Sequence, residues 1–161
     1  MWGIVPAQRC PDKRFLIGGS QYPQDFPWHP NLYFVRHLPP SEHPAFFSSS
    51  RLTLNVTRRP MAELGWCPSG RLFEAAACGT AILSDTWDGL DAFFTSGSEI
   101  FAVRDTDAAM TVLGLDDAEI RRVATAARER TLTEHTSERR SQDLIAALER
   151  TYARSPDLAG A

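Results

Sequence analysis

The chain has 161 residues, of which 43% are hydrophobic and 23% charged, and its formal net charge is −3. This length and composition are typical of one globular domain with a buried core, and the acidic balance gives no general attraction to nucleic acid or to an anionic membrane. No apolar run has the length of a transmembrane helix or the pattern of a signal peptide, so we expect no integral membrane segment. Cys10, Cys67 and Cys78 lack metal-ligand spacing, and this cysteine usage favours a reducing, cytoplasmic location.

Short apolar segments separated by turn residues predict five strands along the chain. We expect residues 1–13, which contain Pro6 and Pro11, to form an irregular lead-in, residues 14–154 to form one domain and residues 155–161 to form a flexible tail. The predicted strands are residues 14–18, 32–35, 52–56, 81–83 and 99–103.

Helical patterns lie between and after these strands. Ser41 can cap a short helix that runs to Phe47, and a turn of helix is expected at residues 90–94. Two helices close the chain, and Ser137 can cap the second of them. Their apolar positions at helical spacing are Ile120, Val123, Ala124 and Ala127 in the first helix and Leu144, Ile145, Leu148 and Tyr152 in the second.

The alternation of strands and helices predicts an α/β fold, in which a Rossmann-like parallel sheet carries helices on both faces. In such sheets, ligands bind beyond the carboxyl ends of the strands. Four segments should gather at that edge: residues 18–20 with Gly19 at their centre, residues 36–40, residues 55–59 and residues 69–70. We therefore expect the functional site at this edge.

Residues 69–79 (SGRLFEAAACG) are the most informative stretch of the chain. Ser69 and Gly70 open a predicted helix whose first free N–H groups face beyond the strand ends, which is a favourable place for an anion. Arg71 adds a guanidinium group at that end, and Glu74 follows one turn later. Phosphate donors followed by a carboxylate suit a nucleoside diphosphate with its ribose. A surface salt bridge for Arg71 and a solvent-facing position for Glu74 are the structural alternatives.

Several other residues admit both a functional and a structural interpretation. We expect Cys78 to be a buried helical thiol rather than a nucleophile, and His135 to form a hydrogen bond at a helix end. Asn55 is expected to end its strand, whereas Trp87 and Asp88 fit either the border of a sugar pocket or a packed turn. The histidines whose spacing does not fit a metal site are His29, His37 and His43.

Three segments of the chain carry a family resemblance: residues 55–58 (NVTR), residues 68–79 (PSGRLFEAAACG) and residues 87–90 (WDGL). They resemble the corresponding segments of the group 1 glycosyltransferases of the spore-maturation-protein-like branch. Residues 97–100 and 134–136 with Arg139 are similar to that branch as well, so the resemblance covers roughly residues 14–148. It implies the C-terminal half of a GT-B fold, in which two Rossmann-like domains face a cleft and the C-terminal one holds the nucleotide-sugar donor.

The resemblance implies a role for each part of the site. Glu74 would accept hydrogen bonds from the ribose hydroxyls. The residues whose backbone amides would meet the diphosphate are Ser69, Gly70, Arg71 and Leu72. The residues that would offer backbone groups to the base are Arg36, His37 and Leu38.

This chain departs from the family pattern at two places. Many members carry a second glutamate eight positions before the ribose-binding one, near the transferred sugar, but this chain has Trp66 there, so we expect the sugar contact to come from elsewhere. The connection after the first strand is too short and too rich in proline for a full crossover helix, and it lacks the usual basic phosphate clamp. Arg58 or Arg59 could substitute, or both could be ordinary loop charges. No catalytic residue is assigned.

Because the resemblance covers only the donor-binding half, we expect the chain alone to bind a UDP- or GDP-linked sugar rather than to turn it over. Its partner would be the missing N-terminal acceptor domain or a second copy of the chain. No cofactor or metal would be required, since the helix start and the arginines supply positive potential. The alternative is a non-catalytic Rossmann-like binding or assembly domain. A nucleotide-sugar epimerase or dehydrogenase is disfavoured because residues 18–20 do not continue as a dinucleotide fingerprint.

Overall fold

Parallel strands alternate with helices through residues 4–19 and 22–154, which are the residues that the computed structural model describes. Ser20, the first three residues of the expected lead-in and the expected tail at residues 155–161 lie outside them. The elements are α1 (Ile4–Arg9), β1 (Phe15–Gly18), β2 (Leu32–Val35), α2 (His43–Ser48), β3 (Leu52–Asn55), α3 (Arg59–Leu64), α4 (Gly70–Ala77), β4 (Ala81–Asp85), β5 (Phe101–Val103), α5 (Thr106–Leu113), α6 (Asp117–Glu134) and α7 (Ser137–Arg154), with short 3₁₀ turns at Pro40–Glu42 and Leu90–Ala92.

The described strands form two parallel sheets rather than the single sheet that the sequence predicts. β1 pairs with β2, and β3, β4 and β5 form a second sheet in that order. The two strands of the first sheet are only half covered, since Leu16 is 50% exposed and Tyr33 is 51% exposed. Both strands are edges of their sheet, and they lack the continuous burial of the central strand of a parallel sheet.

Both faces of the three-stranded sheet are covered by helices, as predicted. Successive residues of a strand point to opposite faces. Ile82 of β4 packs with residues of α2 and α4, including Leu72, whereas its neighbour Leu83 packs with residues of α5 and α6, including Val123. The first four residues of β4 are all buried, so this strand is the centre of the core.

The N-terminal segment is more ordered than the irregular lead-in that its prolines suggest. Residues 4–9 form α1, which tolerates Pro6 because a proline in the first helical turn costs no intrahelical hydrogen bond. Ala7 is fully buried, and the guanidinium of Arg9 lies 2.6 Å from a carboxylate oxygen of Asp107 on α5. The expectation of an irregular segment is therefore wrong for residues 4–9, which pack on the domain.

The two closing helices form as predicted but differ in how they pack. Asp116 caps α6 by accepting from the Glu119 N–H at 2.8 Å, and the predicted apolar stripe of α6 is buried. Near this end, a hydrogen bond from the Arg51 guanidinium lowers the pKa of the Asp117 carboxyl. The predicted stripe of α7 is instead exposed by 49–60%, at Leu144, Ile145, Leu148 and Tyr152. Among the described helices, none combines the length and the apolar content that crossing a membrane requires.

Candidate functional site

The start of α4 lies at the carboxyl edge of the three-stranded sheet and is capped by Ser69. This residue has extended backbone angles (φ −71°, ψ 140°), and its hydroxyl oxygen accepts the Arg71 N–H at 3.3 Å. Its carbonyl oxygen accepts the Leu72 N–H at 3.0 Å. The helix start thus forms where the sequence predicts it, but two of its expected free amides have local partners. The Leu72 side chain is fully buried, so this residue can offer a ligand only its backbone.

Glu74 folds back over this helix start. A Cβ built on Gly70 would lie 3.9 Å from one carboxylate oxygen of Glu74, and the other oxygen lies 3.2 Å from Nδ1 of His43. The Glu74 side chain remains 53% exposed. Its carboxylate is therefore held at the helix tip, between α4 and α2, while one side stays open to a ligand.

His43 is the site residue that sequence reasoning missed. It begins α2, and its second ring nitrogen, Nε2, lies 3.3 Å from the Leu38 carbonyl oxygen. Its two ring nitrogens thus contact one oxygen of Glu74 and one of the Leu38 segment, so the imidazole bridges α4 and the chain before α2. The sequence carries no signal for this contact, because residues 43 and 74 are brought together only by the packing of α2 against α4.

Arg71 points to the end of β3, where its guanidinium lies 3.5 Å from the Leu54 carbonyl oxygen. The other two candidate arginines lie at the junction between the loop after β3 and α3. Arg58 is the residue that precedes α3, and Arg59 forms an exposed ion pair with Glu63 at 2.8 Å. Arg71 thus lies at the sheet edge, whereas the Arg59 guanidinium forms an ion pair within α3.

The remaining predicted residues belong to the neighbouring two-stranded sheet and to the segment after it. Gly19 closes β1 by donating its N–H to the Val35 carbonyl oxygen at 3.0 Å. Arg36 and His37 are exposed, and Leu38 is half-buried. The contacts described above connect the helix start to Leu38 and Leu54. They do not reach the other predicted residues, which are Gly19, Arg36, His37, Arg58 and Arg59.

A strained loop precedes the helix start. Trp66 has a positive φ of 52°, a conformation that costs a bulky L-residue about 1–2 kcal/mol. Its backbone N–H donates to the Asp88 carbonyl oxygen at 2.7 Å, in the turn after β4. A Cβ built on the adjacent Gly89 would lie 2.5–2.8 Å from three atoms of the Trp66 indole. The turn after β4 therefore holds both the backbone and the ring of Trp66.

Trp87 and Asp88 have different environments. Trp87 is 8% exposed and belongs to the core cluster of α4, so for this residue the packed-turn interpretation is confirmed. Its indole nitrogen is buried without a hydrogen-bond partner among the described residues. Asp88 is exposed on the same turn. Asn55 ends β3 as predicted and donates to the Ser84 hydroxyl at 3.0 Å.

The contacts of His135 and Cys78 favour the structural interpretation of both residues. His135 follows α6, and its Nε2 donates to the Phe93 carbonyl oxygen at 2.9 Å, so the predicted helix-end hydrogen bond is confirmed. Cys78 lies at the end of α4 and packs against the core, but it is half-buried rather than buried. Its position at the last turn leaves one side uncovered.

Glu74 stands at an open surface. Its side chain is 53% exposed, and neither Glu74 nor Arg71 lines the surface clefts of about 550 Å³ that lie beyond β4 and β5 and beside His135. Within residues 4–19 and 22–154, no three His, Cys, Asp or Glu side chains are grouped so that they could share a metal ion. The groups that converge at the helix start are thus a carboxylate, an imidazole, an arginine and backbone amides, a set that suits hydroxyl and phosphate groups.

Solved structures share this fold. The chain is similar to HepE from Anabaena in complex with UDP-glucose, with 12% identity and a TM-score of 0.72 over 92% of this chain and 44% of HepE. A HepE structure with UDP and glucose gives 14% identity and a TM-score of 0.70 over 92% and 45%. Sucrose-phosphate synthase from Thermosynechococcus elongatus gives 18% identity and a TM-score of 0.62 over 78% of this chain and 31% of the synthase. This chain therefore spans less than half the length of each.

These likenesses confirm the predicted fold class, a Rossmann-like α/β domain resembling half of a GT-B glycosyltransferase. No curated protein matches the chain in sequence. Residues 3–146, nearly the whole chain, match the model of a family described as glycosyl transferase-like. The chain is thus a glycosyltransferase-like domain and belongs to the glycosyl transferase-like family.

Proposed function

We propose that this domain binds the nucleoside-diphosphate sugar of a glycosyltransferase that transfers the sugar to an acceptor hydroxyl. The observation that carries the proposal is the Glu74 carboxylate, which is held at the start of α4 between Gly70 and His43. A carboxylate accepts hydrogen bonds from two vicinal hydroxyls, as a ribose offers them. HepE, a structural neighbour, has been crystallised with UDP-glucose, which supports a donor of this class.

The diphosphate would lie against the start of α4. There the helix N-terminus favours negative charge, and Arg71 adds a guanidinium group at the end of β3. The diphosphate would compete with the Ser69 hydroxyl for the Arg71 N–H, because the cap now occupies that donor. Donors aimed at the departing diphosphate stabilise the negative charge that grows on it in the transition state. This chemistry needs no metal ion or other cofactor.

The base would lie on the other side of Glu74, near residues 36–38. His43 links the two regions, since its ring contacts both Glu74 and the Leu38 carbonyl oxygen. The hydrogen bond from His43 would keep the carboxylate oriented while the ribose hydroxyls occupy its open side. Arg58, which precedes α3, and Arg59, its first residue, remain candidates for phosphate contacts.

Catalysis would need a further domain on the acceptor side. The chain covers 31–45% of the length of the structural neighbours, and the apolar stripe of α7 is exposed. We propose that an acceptor domain, or a second copy of the chain, completes the site, and that the domain alone binds the donor without turning it over. The similarity at residues 55–58 and 68–79 supports the spore-maturation-protein-like branch, and the cysteine usage supports a cytoplasmic enzyme.

Calorimetry with UDP, UDP-glucose, GDP and GDP-mannose tests this function. We expect saturable binding of one base series, and Glu74→Ala should weaken it by about 1.5–3 kcal/mol, the value of hydrogen bonds to a charged group. Glu129→Ala, an exposed glutamate of α6, is the matched control and should bind as the wild type does. If the wild type binds none of the four compounds, the proposal is wrong and a non-catalytic assembly domain is the better description.

A further inference from the structure

Trp66 is far more exposed than Trp87, the tryptophan on the neighbouring turn. It is 68% exposed, whereas Trp87 on the neighbouring turn is 8% exposed. Its positive φ is the only one at a non-glycine residue in the part of the chain that the structure describes. A large apolar side chain in a strained conformation at the surface indicates a role other than stabilising the fold, because a smaller residue would be more stable at this φ.

The contact with Gly89 defines how the indole is oriented. The indole atom nearest to a Cβ built on Gly89 is the fusion carbon Cδ2 at 2.5 Å, followed by Cε3 and Cε2. Cδ2 bonds only to other atoms of the ring system. A group that approached in the plane of the ring would therefore contact atoms at the edge of the indole before it contacted Cδ2. Gly89 therefore covers one flat face of the indole. The high exposure of the side chain leaves the opposite face open.

The Trp66 loop leads directly into the proposed diphosphate position. Trp66 precedes the cap residue Ser69 by three positions, and it is fixed to the turn after β4 through the Asp88 carbonyl oxygen. Glu74, in contrast, is fixed to α2 through His43. The start of α4 is thus preceded by an indole fixed to the turn after β4 and followed by a carboxylate fixed to α2. In the proposed binding mode, the ribose lies at Glu74 and the diphosphate at the start of α4, so the sugar would extend toward the Trp66 loop.

We propose that Trp66 is a stacking platform for the pyranose ring of the sugar donor, an inference that rests on the proposed function. The face of an aromatic ring carries negative partial charge, and the C–H groups on one face of a hexopyranose carry positive partial charge. A pyranose ring also matches the indole in size, and stacking removes apolar surface of both from water. The replacement of a glutamate by Trp66 removes a carboxylate from this position, but stacking needs none. Trp66 then contributes to sugar binding and leaves the nucleoside diphosphate alone unaffected.

The test compares nucleoside diphosphate with nucleoside-diphosphate sugar, using UDP with UDP-glucose and GDP with GDP-mannose. Trp66→Ala should weaken binding of the sugar nucleotide by roughly three- to tenfold, as expected for loss of an aromatic stack, and should change binding of the diphosphate by less than about twofold. Trp66→Phe keeps a flat face and should retain most of the sugar affinity. Trp28→Ala, which removes another exposed tryptophan from the β1–β2 region, should change neither affinity.

The outcomes separate this inference from the proposed function. If the wild type binds neither compound of either pair, the proposed function fails and the inference fails with it. If the wild type binds both compounds of a pair and Trp66→Ala weakens them equally, or weakens neither, the donor site stands and the stacking role is wrong. If Trp66→Ala does not fold, Trp66→Phe decides: retained affinity for the sugar nucleotide supports stacking, whereas a loss of roughly three- to tenfold for the sugar nucleotide alone contradicts it.

Discussion

Adding a methyl group at Gly89 should destabilise the domain through two separable effects. Gly89 has a φ of 92°, and placing an L-residue in this left-handed region costs about 1–2 kcal/mol. The new Cβ would also lie 2.5–2.8 Å from the Trp66 indole. Overpacking costs about 1–3 kcal/mol, and the lower part of that range applies here because the exposed indole can turn away. The sum for Gly89→Ala is about 2–4 kcal/mol.

Thermal and urea unfolding would measure this cost. For a domain of this size, each kcal/mol lowers the melting temperature by about 2–4 °C, so Gly89→Ala should lower it by roughly 5–15 °C. Gly97→Ala is the matched control, since Gly97 has a φ of 81° and a Cβ there would meet nothing within 4 Å. It should show only the backbone cost of about 1–2 kcal/mol.

A double-mutant cycle isolates the contact between Gly89 and the indole. In a Trp66→Ala background, Gly89→Ala should cost only the backbone part, because the ring that the methyl group meets is gone. If Gly89→Ala costs no more than Gly97→Ala in the wild type, or costs the same with and without the indole, then the indole does not lie on Gly89. The stacking platform would lose its geometric basis in either case.

Two further predictions concern the site and its surroundings. His43→Ala should reduce affinity for the nucleoside diphosphate by roughly three- to tenfold in calorimetry, because Glu74 loses a hydrogen-bond partner. The control His29→Ala, in the β1–β2 region, should leave the affinity unchanged. Equal affinity in the wild type and His43→Ala would show that the imidazole does not support the carboxylate. The exposed α7 stripe should cause self-association at high protein concentration, which light scattering would detect, and Leu148→Lys should reduce this association. A wild type that stays monomeric at all concentrations would contradict the prediction.

The sequence predicts best those elements that local patterns determine. β2 has the bounds that the apolar run indicates, and α6 buries the stripe that helical spacing predicts. The start of α4 is equally local, because Ser69 and Gly70 supply the cap chemistry within two residues. The family resemblance then directs attention to Glu74.

What the sequence does not predict depends on packing between distant segments. α1 forms despite Pro6 because burial of Ala7 against the domain outweighs weak helix propensity. The contact of His43 with Glu74 spans 31 positions and follows from the docking of α2 on α4. The split into two sheets likewise depends on how much of β1 and β2 the helices cover, which short apolar runs do not specify.

The division into two sheets has a consequence for motion. β4 is buried on both faces, so its amide protons should exchange with solvent only in large-scale opening, whereas the half-covered β1–β2 pair should open more often by itself. The His43 link places the proposed nucleotide between these two cooperative units, with α4 on one side and the Leu38 segment on the other. A bound nucleotide would then connect the two units, and it should slow hydrogen exchange in the β1–β2 pair.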